Sequence, residues 1–248
     1  MFYLVGGAVR AIALGLGKDQ IADYDYVVVC NNVKELVELS KAAGFLPVPN
    51  SNSESGFVEE FDHLGIKALC PILKQVVDIH CARKEFFYTD GAHPDIVEIG
   101  TLEQDLERRD FTCNQLLLPR GVYDKDQIID HHNGLTDIEV GLLRCVGDPL
   151  ERFLENPDRV VRALRFASQY GWLLDFTIRE AFHNHELLER VRKENDDRKV
   201  KSLNKILRNK ANYHKFFCQL VDFPEMAEAI FSNVGLEATN KKVFHEKS

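Results

Sequence analysis

Apolar and polar positions follow two different rhythms along this chain. Tyr3 to Val5 is a short apolar run that meets Gly6-Gly7, and Ala8 to Gly15 follows with helical spacing. That pattern predicts a strand, a tight turn and a short helix. Tyr24 to Cys30 reads Tyr-Asp-Tyr-Val-Val-Val-Cys, a strongly β-branched strand. Val33 to Ala43 has helical periodicity and stops at Gly44. Phe45 to Val48 reads as a short strand, Pro49 to Gly56 as a polar loop, and Val76 to Cys81 as the next clear strand. Tyr88 to Gly100 reads as a loop. Thr101 to Asp105 opens a helix, with Thr101 as N-cap and Gln104 as its capping-box partner. That helix is expected to carry Arg108 to Asn114 into the apolar run Leu116 to Leu118. Val122 to Asp130 reads as a hairpin closing at Asn133-Gly134.

From Pro149 the helical rhythm runs almost to Phe231, and strand signals stop. The pattern therefore predicts strands with helices over residues 1–148 and an all-α part over 149–238, an α+β chain overall. Residues 239–248 are polar and are expected to fray. No internal repeat is visible.

Composition narrows the class. The chain has 248 residues, 45% hydrophobic and 28% charged, with a net charge of −8. That acidity argues against a surface that coats nucleic acid but leaves room for a local basic groove. No apolar run is long enough for a membrane span and no signal peptide opens the chain, so no membrane partner is expected. Cys30, Cys70, Cys81, Cys113, Cys145 and Cys218 are scattered without a Cys-x-x-Cys pair. Buried free thiols and a cytoplasmic setting are expected.

Four constellations can carry chemistry. Asp23 and Asp25 alternate, so they share a face if both lie on one strand, and Asp78 sits inside another apolar run. If the two strands are neighbours, three carboxylates converge, which suits Mg²⁺. The competing reading is an edge strand with solvated aspartates. Gly6-Gly7 opens a helix, where an anion is favoured and where Arg10 can reach a phosphate. A plain turn competes, and the spacing departs from the Gly-x-Gly-x-x-Gly dinucleotide fingerprint. Arg109, Asp110 and Asn114 can hold a triphosphate and a ribose hydroxyl; a solvated helix end competes. Glu155-Asn156-Pro157 starts a helix in which Arg159, Arg162 and Arg165 recur every third residue. Guanidinium groups so placed suit a nucleotide base, whereas a plain surface helix would pair Glu155 with Arg159. Asp130-His131-His132 reads as an exposed hairpin end rather than a metal cluster. Arg190 to Lys215 is basic, either an RNA-backbone surface or a solvated helical face.

The order of these motifs resembles the class II tRNA nucleotidyltransferase and bacterial poly(A) polymerase family, within the polymerase-β-like nucleotidyltransferases. The residues that carry the resemblance are Gly6-Gly7-Ala8-Val9-Arg10, Asp23-Tyr24-Asp25, Asp78 before Arg83-Lys84-Glu85, Arg109-Asp110 to Asn114, Asp130 to Gly134, and Glu155 to Phe166. The resemblance implies a nucleotidyltransferase head over 1–148 and a helical neck after it. It implies that Asp23 and Asp25 bind Mg²⁺ and that Asp78 is the third catalytic carboxylate. Gly6, Gly7 and Arg10 would hold phosphates, and Arg109, Asp110 and Asn114 triphosphate and ribose. Glu155, Asn156 and Arg159 would read the base, with Arg162 in support. The implied reaction adds CMP or AMP from CTP or ATP to an RNA 3′ end, with tRNA as acceptor. The alternatives are a poly(A) polymerase and a catalytically weak RNA-binding relative.

Three departures stand out. Ala11 replaces the family's Asp after the arginine, and Asn156 replaces its base-reading Asp. An amide both donates and accepts, so weaker discrimination against UTP is expected. The sequence is also shorter than the family's usual length, so reduced body and tail domains are expected. A homodimer, a partner protein or the basic segment from Arg190 would then hold the RNA.

Overall fold

In a computed structural model the first apolar runs form one six-stranded mixed sheet. Residues 1–49, 55–60, 64–86, 95–194, 196–208 and 210–232 are described. Their contacts divide the chain into two units, which change over between Val140 and Gly141.

The first unit contains β1 (Phe2–Val5), α1 (Gly7–Ala13), β2 (Asp25–Val28), α2 (Val33–Ala42), β3 (Val58–Glu60), β4 (Gly65–Cys70), β5 (Gln75–Cys81), β6 (Arg83–Phe86), β7 (Ile96–Ile99), α3 (Leu102–Glu107), β8 (Leu117–Pro119) and α4 (Gly134–Val140). The sheet order is β3-β4-β5-β2-β1-β8. The β2–β5 pair is parallel and the other pairs in this sheet are antiparallel. Strand alternation sorts the side chains. Leu4, Tyr26, Val28, Ile66, Ala68, Ile79 and Cys81 face one core, closed by Ala8, Val9 and Ile12 of α1 and Leu36 of α2. Val5, Val27 and Leu117 belong to a second, smaller cluster with Leu106 of α3. Asp25, Asp78 and Lys67 occupy the strand positions that point away from the first core.

Several expectations need correction. Phe45 to Val48 forms only a single bridge, Leu46 to Leu69. Part of the Tyr88–Gly100 loop is strand: β7 pairs with β6, while 87–94 lie outside the described residues. Within the Pro49–Gly56 loop, 50–54 lie outside them too, as does 239–248. The Thr101 capping box forms, yet α3 ends at Glu107 instead of running on to Asn114. Val122 to Asp130 is no hairpin. It holds a 3₁₀ turn at Lys125–Gln127 and a lone bridge from Ile129 to Leu117. Asn133 adopts φ +60° and leads into α4 instead of a return strand. Asp130 explains the difference, because its carboxylate accepts the backbone N–H groups of His132, Gly134 and Leu135.

The second unit contains β9 (Leu142–Leu143), α5 (Pro149–Glu155), α6 (Asp158–Tyr170), β10 (Leu173–Leu174), α7 (Phe176–Ala181), α8 (His185–Lys193), α9 (Asp196–Leu207), α10 (Lys210–Val221) and α11 (Pro224–Phe231). Among its described residues the strands are β9 and β10, which pair in parallel, so strand does not cease before Pro149. Helix α6 packs on α9 and α10 and buries Val160, Ala163, Leu164 and Ala167. Five of the six cysteines are buried free thiols, and Cys218 is exposed.

Candidate active site

The sheet brings two of the three expected acids side by side. In the parallel β2–β5 ladder Asp25 stands directly opposite Asp78. Asp23 precedes β2, which starts at Asp25, and is exposed. The two alternate residues therefore do not both lie on the strand. Among the described residues, no group of three or more His, Cys, Asp or Glu side chains could hold a metal ion. The expected three-carboxylate cluster is thus a pair in this structure, with Asp23 acting on Asp25 through its charge.

Cations stand at both ends of that pair. Lys67 Nζ lies 2.5 Å from Asp78 Oδ1. The Arg109 guanidinium acts on Asp25 from the other side. Burial, with repulsion from Asp78, pushes the Asp25 carboxyl up from the usual range, and Arg109 partly offsets this. Gly6 has φ +68°, a conformation that glycine adopts without strain. A Cβ at Gly6 would lie 3.4 Å from Arg109 Nη1 and 3.8 Å from Asp25 Oδ2, so the bare turn borders both.

Arg109 is held from behind. Asp105, fully buried on α3, accepts from Arg109 Nη2 at 2.8 Å and from Arg108 Nε and Nη2 at 3.0 and 2.8 Å. Glu85 Oε1 accepts in turn from Arg108 and Arg83. Arg109 Nη1 reaches the Asn114 carbonyl oxygen at 3.4 Å, while its Nε is buried with no hydrogen-bond partner among the described residues. Asp110 and Asn114 meet as expected, but through a 3₁₀ turn at Thr112–Asn114, not along a helix face. Asn114 Nδ2 donates to Asp110 Oδ1 at 2.7 Å, and its side-chain oxygen accepts from buried Arg10. Gly7 lies beside the Arg10 guanidinium. Gly6, Gly7, Arg10, Asp25, Asp78, Arg109, Asp110 and Asn114 thus form one connected neighbourhood.

Glu155, Asn156, Arg159 and Arg162 lie in the second unit. Glu155 closes α5, and its carboxylate accepts from Arg152 at 3.0 Å and Arg159 at 3.1 Å. The Glu155–Arg159 pair of the plain surface-helix reading is therefore present. Arg159 is nonetheless buried and also donates to the Arg152 carbonyl. Asn156 Oδ1 accepts from Asp158 N at 3.1 Å and so caps α6. Arg162 and Arg165 both lie over the Phe166 ring.

Residues 2–144 match the sequence model of the Poly A polymerase head domain family. The chain belongs to this family. Among curated proteins it is 35% identical over 191 residues to a CCA-adding enzyme of Ligilactobacillus salivarius (strain UCC118), covering 76% of this chain and 42% of that one. It is 34% identical over 172 residues to an A-adding tRNA nucleotidyltransferase of Aquifex aeolicus (strain VF5), covering 69% and 19%. A solved tRNA nucleotidyltransferase complexed with a primer tRNA and an incoming ATP analog superposes with TM-score 0.65 at 26% identity, over 92% of this chain and 58% of that one. The chain spans less than half the length of the curated relatives it matches.

Two residues of this head domain escape the sequence reading. Asp105 holds both arginines, and its signal is an acid with arginines three and four positions on. Lys67 faces Asp78 across β4 and β5, and only the strand register reveals it. No helix among the described residues is long and apolar enough to cross a membrane.

Proposed function

We propose that this chain is a template-independent RNA nucleotidyltransferase that adds CMP or AMP to an RNA 3′ end, with tRNA as the acceptor. In that reaction the RNA 3′-oxygen bonds to the α-phosphorus of CTP or ATP, the bond to the β-phosphate breaks, and pyrophosphate leaves. The observation that carries the reading is the Asp25–Asp78 pair, set beside the bare Gly6 turn and Arg109.

The pair fits Mg²⁺. Two adjacent carboxylates, one destabilised by the other's charge, suit an ion that takes few protein oxygens and completes its shell with water and phosphate. Asp25 and Asp78 would hold it with help from Asp23, and it would lower the 3′-hydroxyl's proton affinity and neutralise the departing pyrophosphate. The protein's own groups do the rest. Asp78 accepts the 3′-hydroxyl proton. Arg109, fixed by Asp105, offsets phosphate charge beside Gly6. Arg10 sets the Asn114 amide, which with Asp110 meets the ribose and phosphates. Glu155, Asn156, Arg159 and Arg162 select the base.

Incubation with Mg²⁺, labelled CTP or ATP, and tRNA lacking its 3′ end tests this. Extension is expected, with Asp25→Asn abolishing it while far-UV dichroism stays unchanged. Offering each nucleotide alone separates CCA addition from A-only or poly(A) addition. A second reading, a weakly catalytic RNA-binding relative, is favoured by the Lys67 ammonium already seated on Asp78. Binding of RNA without incorporation into any RNA would favour that reading instead.

A further inference from the structure

Lys67 places its ammonium 2.5 Å from one member of the carboxylate pair. Across antiparallel β4 and β5 it stands directly opposite Asp78, and across parallel β5 and β2 Asp78 stands opposite Asp25. Lys67, Asp78 and Asp25 therefore form one row over three adjacent strands. Lys67 is the smaller of the two positive influences on Asp25, after Arg109. Both members of the Lys67–Asp78 pair are more than one-third exposed, so water and a hydrated ion can reach them.

We propose that Lys67 is a built-in counter-cation that holds Asp78 when no divalent ion is bound and competes with that ion for the carboxylate. This rests on the reading of Asp25 and Asp78 as the metal-holding pair. Two adjacent carboxylates on neighbouring strands repel each other, and a metal-free sheet carries that repulsion unless a cation shares the row. A lysine suits the task, because its ammonium is a mobile point charge on a flexible stem and makes no bidentate lock. An arriving divalent ion at Asp78 meets an ammonium 2.5 Å from Oδ1 and must displace it. Lys67 is a positioning residue: it sets how readily the pair loads and where Asp78 rests beforehand.

Titration with Mn²⁺ alone, followed by calorimetry and by the electron-spin signal of free Mn²⁺, tests this without nucleotide or RNA. Lys67→Met and Lys67→Gln are each expected to bind Mn²⁺ about two- to fivefold more tightly, the range of a half-exposed ion pair. Metal-free, both variants are expected to melt lower than the unsubstituted protein, and Mn²⁺ is expected to raise their melting temperature by a larger step. Lys84→Ala, which removes the same charge from the Lys84–Glu98 pair on β6 and β7, is expected to leave Mn²⁺ affinity unchanged. A purely structural cross-strand pair would lower melting with and without metal alike and leave affinity untouched, and that result overturns the proposal. An equal shift in Lys84→Ala, or no Mn²⁺ uptake by any of the proteins, also overturns it. The outcome is separable from the transferase reading. An inactive protein that shows the Lys67 shift keeps this inference, and an active one without it loses this inference alone.

Discussion

Asp105 is fully buried, and a carboxylate without water is held ionised only by cations that have also left water. Burial pushes its carboxyl up, but Arg109 and Arg108 overcome this and hold it at about 2. The folded value lies below the unfolded one. Its stabilisation is therefore complete above the usual aspartate range and is lost as pH falls from about 4 towards 2. Asp105→Asn is expected to cost about 3 kcal/mol near neutrality, since it removes the buried charge that Arg109 and Arg108 share, although Arg108 keeps Glu85. Urea unfolding across that acid range should show the gap between the two proteins closing. A gap that stayed constant would show that packing, not charge, sets the cost. Because Arg109 stands against Gly6 and Asp25, the same variant is expected to raise the nucleotide KM more than it lowers kcat.

Gly134 shows how one element places another. A Cβ there would come 2.4 Å from the Thr112 carbonyl oxygen, a backbone atom that cannot swing aside. Thr112 Oγ1 also donates to buried Asp137 of α4 at 2.7 Å, so α4 and the Thr112–Asn114 turn are locked together. Gly134→Ala is expected to cost about 1–3 kcal/mol, the range for overpacking, and to displace Asn114 from Arg10. Urea unfolding gives the first effect and loss of nucleotide binding the second; an unchanged midpoint would show that the helix shifts freely. The same junction shows what a sequence does and does not disclose. Asn-Gly between apolar runs signals a hairpin, and Asn133 does take the positive φ that such a turn uses. Asp130 then captures three backbone N–H groups and turns the chain into a helix, a tertiary choice that local preference does not encode. Strands β1, β2 and β5 and the Thr101 cap were legible, because period and capping are local. The Asp25–Asp78 contact needed strand neighbours, and Lys67 needed a register, neither of which periodicity supplies.

At the scale of the whole chain, a net charge of −8 makes any positive surface a local exception. The basic stretch from Arg190 to Lys215 divides on inspection. Arg190 pairs with Glu186, Arg192 with Glu189 and Glu228, and Lys199 is buried with its ammonium on the Arg192 carbonyl. Those charges serve the helices themselves. Lys201 and Lys205 differ: both are exposed on α9, which packs against α6. Partial desolvation, then the positive charges of Arg165, Arg162 and Lys201, hold the Lys205 ammonium below its usual range, with Asp158 opposing. Like charges gathered on two packed helices destabilise one another, and a further anion such as a phosphodiester chain would relieve that repulsion. Lys201→Ala with Lys205→Ala is therefore expected to weaken binding of tRNA lacking its 3′ end and to flatten its salt dependence by about 0.7–0.9 in log–log slope per lost phosphate contact. Mn²⁺ affinity should not move, since neither lysine belongs to the carboxylate row. Lys41→Ala, which breaks the exposed pair with Glu38 on α2, controls for net charge and should leave the slope intact. If the double variant binds RNA with an unchanged slope, the α6–α9 cations are a solvated face, and the phosphates of the bound RNA rest elsewhere on the chain.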